Sequence, residues 1–364
     1  MKIPLNDLSR EIEIVGPMIQ EKIARVMERG WFLIGQELSS FESEFAKYLG
    51  INYFVGLANG TDALEIALRC CDVGLGDRVI VAPNAAMYGT LGVLRCGAKP
   101  IFADVDETLC MSSKRFEELA NRGTYKAVIV THLYGQMADI ESISHIAHAH
   151  GIKVIEDCAQ AHGARRAGKM AGTFGDITTF SFYPTKNLGA MGDAGGIGCN
   201  SPQYQEKARA LRQYGWSKSK YHVDIPHGHN SRLDEIQAAC LLVKLEKLEE
   251  RNQRRRAIWS HYNNELKGRI HFIGRNDESF VAHLCVLLSQ NRDYLQNQLK
   301  KRDIASEVHY PVPDFRQKVF NENPSDFNCP NADEACQRVL TLPCFPEMTD
   351  LEVEYVTQSL LKLA

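Results

Sequence analysis

Two rhythms of apolar residues run along this chain, one of short apolar runs and one of longer stretches in which apolar positions recur every three to four residues. The longer rhythm comes first. Leu8 to Arg29 fits an amphipathic helix that Gly30 stops, ahead of an apolar patch of Trp31, Phe32, Leu33 and Ile34. Leu38 to Leu49 predicts a second helix, ending at Gly50. The rhythms then alternate. Strands are expected at Tyr53–Leu57, Arg78–Ala82, Pro100–Asp104, Ala127–Thr131, Lys153–Glu156 and Ile177–Phe182. Helices are expected at Thr61–Cys71, Ala86–Arg95, Ser113–Asn121 and Ile140–His150. Apolar strands separated by single helices predict an α/β fold with a mainly parallel sheet covered on both faces. Ligands of such sheets bind beyond the carboxyl ends of the strands.

After Ile197 the pattern changes. A helix is expected near Pro202–Arg212, then a polar loop to His229, then a long helix from Leu233 to Leu266. Strand-like Phe280–Leu288, helix Tyr294–Arg302, strand-like Ile304–Tyr310 and a final helix Leu351–Leu363 predict a small C-terminal α+β domain. The expected division is residues 1–250, an N-terminal arm and a large domain, and residues 251–364, the small domain. No internal repeat appears.

Composition narrows the function classes. With 364 residues, 44% hydrophobic and a formal net charge of −3, the chain has no field to attract nucleic acid or an anionic membrane. No run approaches the roughly 18 apolar residues of a membrane span, and the charged start MKIPLNDLSREIEIV does not read as a secretory leader. A cytoplasmic protein is expected. The eleven cysteines include no C-x-x-C pair and read mostly as buried thiols. Neither His145, His148 and His150 nor His222, His227 and His229 has ligand spacing, so no metal is expected. Arg251 to Arg256 (RNQRRR) reads as a solvated helix face.

The candidate chemistry centres on Lys186. Pro184 ends the strand before it and leaves Thr185 and Lys186 on the loop beyond. Gly189, Gly192, Gly195 and Gly196 follow, small enough to let backbone approach a flat ligand or adopt positive φ. A lone loop lysine is usually solvated, but in a partly dry pocket its amine becomes a nucleophile toward carbonyls, most often as a Schiff base with pyridoxal phosphate. Partners stand at other strand ends. Asn59-Gly60-Thr61-Asp62 opens a helix and offers free backbone N–H groups to an anion, with Ser181 able to add a hydroxyl. Asp157 ends another strand, where a carboxylate would hold a pyridine nitrogen protonated. Ala159 is small enough to lie under a ring, and Gln160 can donate to a phenolate oxygen. A dinucleotide site would need G-x-G-x-x-G at the first strand-helix turn, which Gly56 to Thr61 lacks.

Four motifs carry a resemblance: GTDAL at Gly60–Leu64, VIEDCAQAHGA at Val154–Ala164, SFYPTKNLGAMGDAGG at Ser181–Gly196 and HNSRLDEIQAA at His229–Ala239. With IPLNDL at Ile3 and LPCFPEMTDLE at Leu342–Glu352, the chain over nearly its whole length resembles the DegT/DnrJ/EryC1/StrS aminotransferases. The resemblance implies the fold type I, aspartate aminotransferase-like architecture of pyridoxal phosphate-dependent transferases. It implies that Lys186 bonds the cofactor, Asp157 pairs with its ring nitrogen and Gln160 lies near its 3-oxygen. Gly60, Thr61 and Ser181 would hold the phosphate. Asn230 would reach the phosphate of a neighbouring subunit, making a homodimer with shared sites. The stacking aromatic of the family falls on Met87, so either Met87 stacks or Tyr88 replaces it. Trp31, Phe32, Tyr183 and Tyr310 are the expected substrate-shaping residues.

The implied reaction takes an amino group from L-glutamate to a nucleotide-linked keto sugar. Relatives that dehydrate the sugar carry histidine at the lysine position, so Lys186 implies transamination. AQAHGA at Ala159–Ala164 and LRQYGW at Leu211–Trp216 resemble enzymes of dTDP-3-keto-6-deoxyhexoses more than 4-keto enzymes, and resemble inosose aminotransferases too. A cofactor-binding sensor is the non-enzymatic alternative. Phe315, where many relatives have histidine, departs from the family near the expected sugar contacts.

Overall fold

Capping sets the first two helices. In the computed structural model, which describes residues 1–320 and 327–363, α1 (Leu8–Arg29) starts where the Asp7 side chain accepts the Ser9 N–H. It ends at Gly30, whose φ of 64° belongs to the left-handed region that glycine adopts without strain. Helix α2 (Gln36–Leu49) has no cap of its own. Instead the buried carboxylate of Glu235 accepts the N–H groups of Gly35, Glu37 and Leu38, each at 2.9 Å.

The alternating stretch folds as β1 (Tyr53–Leu57), α3 (Gly60–Cys70), β2 (Arg78–Val81), α4 (Tyr88–Arg95), β3 (Lys99–Phe102), α5 (Ser113–Ala120), β4 (Ala127–Thr131), α6 (Ile140–Ala149) and β5 (Lys153–Asp157). A two-residue hairpin, β6 (Arg165–Arg166) with β7 (Lys169–Met170), precedes β8 (Ile177–Ser181) and β9 (Gly195–Cys199). The sheet order is β1-β9-β8-β5-β4-β2-β3. Strand β9 alone runs against its neighbours, pairing antiparallel with both β1 and β8.

Strand β9 corrects the expectation for the glycine run. None of Gly189, Gly192, Gly195 and Gly196 has positive φ. Their bareness serves protein packing: a Cβ on Gly195 would lie 2.3 Å from the Asn59 carbonyl carbon, and one on Gly196 would lie 2.3 Å from the Phe54 ring. Glycine hides a strand because it lacks the side chain from which strand patterning is read.

Behind the sheet, Phe41, Phe45, Phe54, Phe180 and Phe182 form an edge-to-face cluster, with the Phe45 and Phe54 centroids 4.8 Å apart. All eleven cysteines are buried as free thiols. Among the described residues no helix is long and apolar enough to cross a membrane.

The C-terminal part departs more from expectation. After α7 (Pro202–Leu211), the long helix is two, α8 (Glu235–Leu245) and α9 (Leu248–Glu265). The 250/251 division falls inside α9, whose Leu248 joins the large core while Ile258, Trp259 and Tyr262 join a second one. That second core covers a three-stranded antiparallel sheet of β10 (His271–Phe272), β11 (Cys285–Leu288) and β12 (Val339–Leu342), with α10 (Arg292–Lys300) and α12 (Asp350–Leu361), while α11 (Pro330–Arg338) sends Ala332 and Ala335 into the large core. Ile304–Tyr310 makes only isolated bridges, from Ile304 to Ile3 and from Glu307 to Thr341. Only the last four residues of Phe280–Leu288 are strand, because β12 pairs with Cys285 to Leu288.

The RNQRRR run is solvated only in part, with Gln253 exposed and the arginines other than Arg255 half-buried. Asn252 and Arg255 are buried, Arg251 pairs with Glu11 and Glu347, and Arg254 pairs with Asp350 at 2.8 Å. Periodicity marks one side of this helix as polar but does not reveal that a second layer covers it.

Candidate active site

The strand ends converge. Asp157 ends β5, Ser181 ends β8, Thr131 ends β4, and Asn59-Gly60 follows β1 into α3. All of them line one cavity of about 400 Å³ that also holds Lys186. Thr131, His283 and His309 enter the lining without having been singled out from the sequence as site residues. His283 stands alone in an apolar run and gives no sequence signal.

One end of the cavity is an anion cradle. The Asn59 side chain accepts the Asp62 N–H at 2.8 Å and so fixes the first turn of α3. The N–H groups of Gly60 and Thr61 have no protein partner among the described residues and, with Ser181, face the cavity. A Cβ on Gly60 would lie 2.6 Å from that of Ser181, so only glycine permits this approach.

The other end holds the charges. The Asp157 carboxylate accepts the Ala159 N–H and the Thr131 hydroxyl, both at 3.1 Å. Burial pushes its proton affinity up, against those two hydrogen bonds and the pull of Lys186. Lys186 is partly exposed within the open cavity and its amine makes no hydrogen bond among the described residues. The protein packed around the amine pushes it down to about 8, with Asp157 opposing the shift. At neutral pH roughly a tenth of this lysine is therefore the free, nucleophilic amine, far more than for a lysine at its ordinary value.

A hydrogen-bond chain sets one wall. The Asn252 amide donates to the His162 carbonyl at 2.7 Å, and the Asn187 amide donates to Asn252 Oδ1 at 2.8 Å and to the Val281 carbonyl at 3.1 Å. Asn187 Oδ1 is thus left facing His283 Nδ1 at 2.9 Å, which must carry the proton. Burial and Lys186 hold His283 well below its usual range, so it stands neutral with Nε2 as an acceptor. Gln160 is fixed as well, accepting the Tyr134 N–H at 2.6 Å and donating to the Tyr310 hydroxyl at 3.1 Å.

Met87 and Tyr88 lie differently with respect to the cavity. Met87 is buried and turned away, whereas Tyr88, Ala159, Tyr183 and Tyr310 line the cavity. Three further expected residues lie outside it: Trp31, Phe32 and Asn230 are exposed. Phe315 is fully buried against Phe102 and Phe327, so its departure from the family pattern fills core space and does not touch the cavity.

A flat, anionic, carbonyl-bearing ring with a basic nitrogen fits this donor set. Free N–H groups suit its phosphate, a buried carboxylate suits its protonated nitrogen, and an unpaired amine suits its carbonyl.

Comparisons with known proteins agree. The model of the DegT/DnrJ/EryC1/StrS aminotransferase family matches residues 14–361. The chain is 42% identical over 360 residues to the dTDP-3-amino-3,6-dideoxy-alpha-D-galactopyranose transaminase of Aneurinibacillus thermoaerophilus, covering 98% of each. It is 38% identical to a pleiotropic regulatory protein of Geobacillus stearothermophilus, covering 99% of this chain and 98% of that one. An X-ray structure of DesV from S. venezuelae in complex with a ketimine intermediate superposes with a TM-score of 0.94 at 35% identity, covering 100% of this chain and 98% of that one.

Proposed function

Because the chain belongs to the DegT/DnrJ/EryC1/StrS aminotransferase family of pyridoxal phosphate-dependent sugar aminotransferases, we propose that it moves an amino group from L-glutamate to C3 of a dTDP-3-keto-6-deoxyhexose, giving the 3-amino sugar and 2-oxoglutarate. The observation that carries this reading is the unpaired amine of Lys186 in one cavity with Asp157 and the Gly60–Thr61 cradle. The choice of C3 is supported by the 3-amino sugar in the name of the Aneurinibacillus relative. A 4-keto sugar or an inosose is the alternative substrate. The regulatory name of the Geobacillus relative keeps a cofactor-bound sensor as the non-enzymatic alternative, although a pure binder has no need of a free lysine amine.

Gly60, Thr61 and Ser181 would hold the phosphate, Tyr88 and Ala159 the two ring faces, Gln160 the 3-oxygen and Asp157 the ring nitrogen. Bound there, the cofactor supplies an electron sink for the carbon being deprotonated. Lys186 takes the proton from the donor's α-carbon and returns one to the former carbonyl carbon of the sugar in the second half. Asp157, desolvated and oriented by Thr131 and Ala159, would hold the protonated ring nitrogen. Tyr183 and Tyr310, which line the same cavity, would shape the place of the sugar.

The reading includes a homodimer. Trp31, Phe32 and Leu33 form an exposed apolar patch of the kind that marks an interface. Such an interface would bring Asn230 of one subunit to the phosphate site of the other.

The test is an absorbance scan of purified protein. A band near ~410–430 nm, moved toward ~330 nm by L-glutamate and restored by one keto sugar, is the expected result. A protein that holds the band but ignores glutamate would leave the sensor.

A further inference from the structure

Among the described residues, the polar run on α9 contains one buried cation without a counter-ion. Arg255 is 4% exposed, and no carboxylate lies within ion-pair distance among the described residues. Its neighbours Arg251 and Arg254 are provided for by Glu11, Glu347 and Asp350. The Arg255 guanidinium donates from Nη1 to the backbone carbonyls of His283 and Cys344. Its Nε and Nη2 groups have no protein partner among the described residues. Burying a guanidinium without an anion is costly, and desolvation accordingly works against its charge.

Arg255 faces a second cavity, of about 160 Å³, and four residues of its lining belong to the catalytic cavity too: Thr185, His283, Leu284 and His309. The two are adjoining compartments of one cleft, and Thr185 is the neighbour of Lys186. The histidines do not supply positive charge there. Burial and Lys186 hold His283 and His309 below their usual range. Glu307 also lines the compartment, but it is an exposed residue, and an anion would sit on the Arg255 side. Arg255 is thus the one lining residue, among those described, that is positive at neutral pH.

We propose that this compartment is the subsite for a carboxylate of the amino donor, gripped by the free N–H groups of Arg255. The proposal rests on the aminotransferase reading and extends it. Every α-amino acid donor brings a carboxylate to the carbon that Lys186 deprotonates, and L-glutamate brings a second. A preorganised planar guanidinium in a dry pocket is suited to take one of them in bidentate fashion. The proposed dTDP-3-keto-6-deoxyhexose carries no carboxylate, so with that substrate the subsite distinguishes the two half-reactions.

The experiment compares wild type with Arg255→Gln and Arg255→Lys, all loaded with cofactor. Glutarate, a dicarboxylate that cannot react, is titrated by calorimetry, and the half-reactions with L-glutamate, with L-alanine and with the keto sugar are followed by absorbance. Arg255→Gln is expected to weaken glutarate and L-glutamate by roughly 10- to 100-fold, as for loss of a hydrogen bond to a charged group. Arg255→Lys should lose less, and the sugar half-reaction should be unchanged. An equal loss for L-alanine assigns the α-carboxylate, and a loss confined to L-glutamate assigns the side-chain carboxylate. Unchanged glutarate and L-glutamate affinity in Arg255→Gln overturns the proposal, as does an equal weakening of the sugar half-reaction. If Arg255→Gln does not fold, Arg255→Lys is read by the same criteria. Should L-glutamate fail to react even with wild type, the aminotransferase reading fails, while the glutarate titration still reads the subsite.

Discussion

Asp314 reaches back along the chain to accept the backbone N–H of Met87 at 3.0 Å. Its other oxygen accepts the Thr90 hydroxyl at 2.5 Å, and its own N–H donates to the Pro83 carbonyl at 2.7 Å. These bonds hold Ala86 and Met87 at φ of 55° and 67°, a conformation that non-glycine residues avoid. The double left-handed step turns Met87 inward and delivers Tyr88 to the cavity. Asp314→Leu should leave the Met87 N–H buried and unpaired, at a cost of about 1–3 kcal/mol. A lower melting temperature and a weaker circular dichroism band of the bound cofactor are the expected readouts.

Asp314→Asn can keep the bond to Met87 and should fold. Burial pushes the Asp314 carboxyl up to about 7, so the native chain holds its proton where an unfolded aspartate has already lost it. Stability from this group is therefore lost as pH rises from the ordinary aspartate range to about 7. The Asn variant should show a flatter dependence of melting temperature on pH across that window, and an unchanged slope would remove the assignment.

Lys186 predicts a pH dependence of opposite use. Its amine titrates near 8, so capture of pyridoxal phosphate by cofactor-free protein should quicken by nearly tenfold per unit as pH rises toward about 8, then level off. Stopped-flow absorbance measures this directly. Lys186→Ala should abolish the band near ~410–430 nm and turnover while leaving the melting temperature close to wild type.

Asp157→Asn separates cofactor binding from chemistry. The Ala159 N–H can still donate to the amide oxygen and the Thr131 hydroxyl can turn to accept from the amide NH2, but the charge facing the ring nitrogen is lost. Turnover should fall by ~10²-fold or more with the cofactor still bound, as judged by absorbance and single-turnover rates.

The proposed sharing of sites between subunits predicts complementation. Lys186→Ala and Asn230→Ala proteins, each impaired, should regain about one quarter of wild-type activity when unfolded and refolded together, because half the dimers are mixed and half their sites are intact. No recovery would place Asn230 outside the partner's site.

The large domain was readable because most of its strands are apolar runs closed by a turn signal, as at Ala127–Thr131, and because Lys186, Asp157 and Gly60 stand at strand ends. Strand β9 was not readable, since its glycines carry no pattern. The burial of Arg255 escaped because a helix seen alone shows its polar face without the layer packed on it. Tyr88 could be separated from Met87 only by Asp314, which lies far along the chain and has no local signature.

The buried cysteines have a practical side. All eleven thiols lie inside the fold, and burial raises the proton affinity of each. A chromogenic disulfide reagent should therefore find almost no thiolate on the native protein. Colour would appear only as segments open, and the order in which cysteines become labelled would form a clock, distributed through both cores, that records which part of the molecule comes apart first.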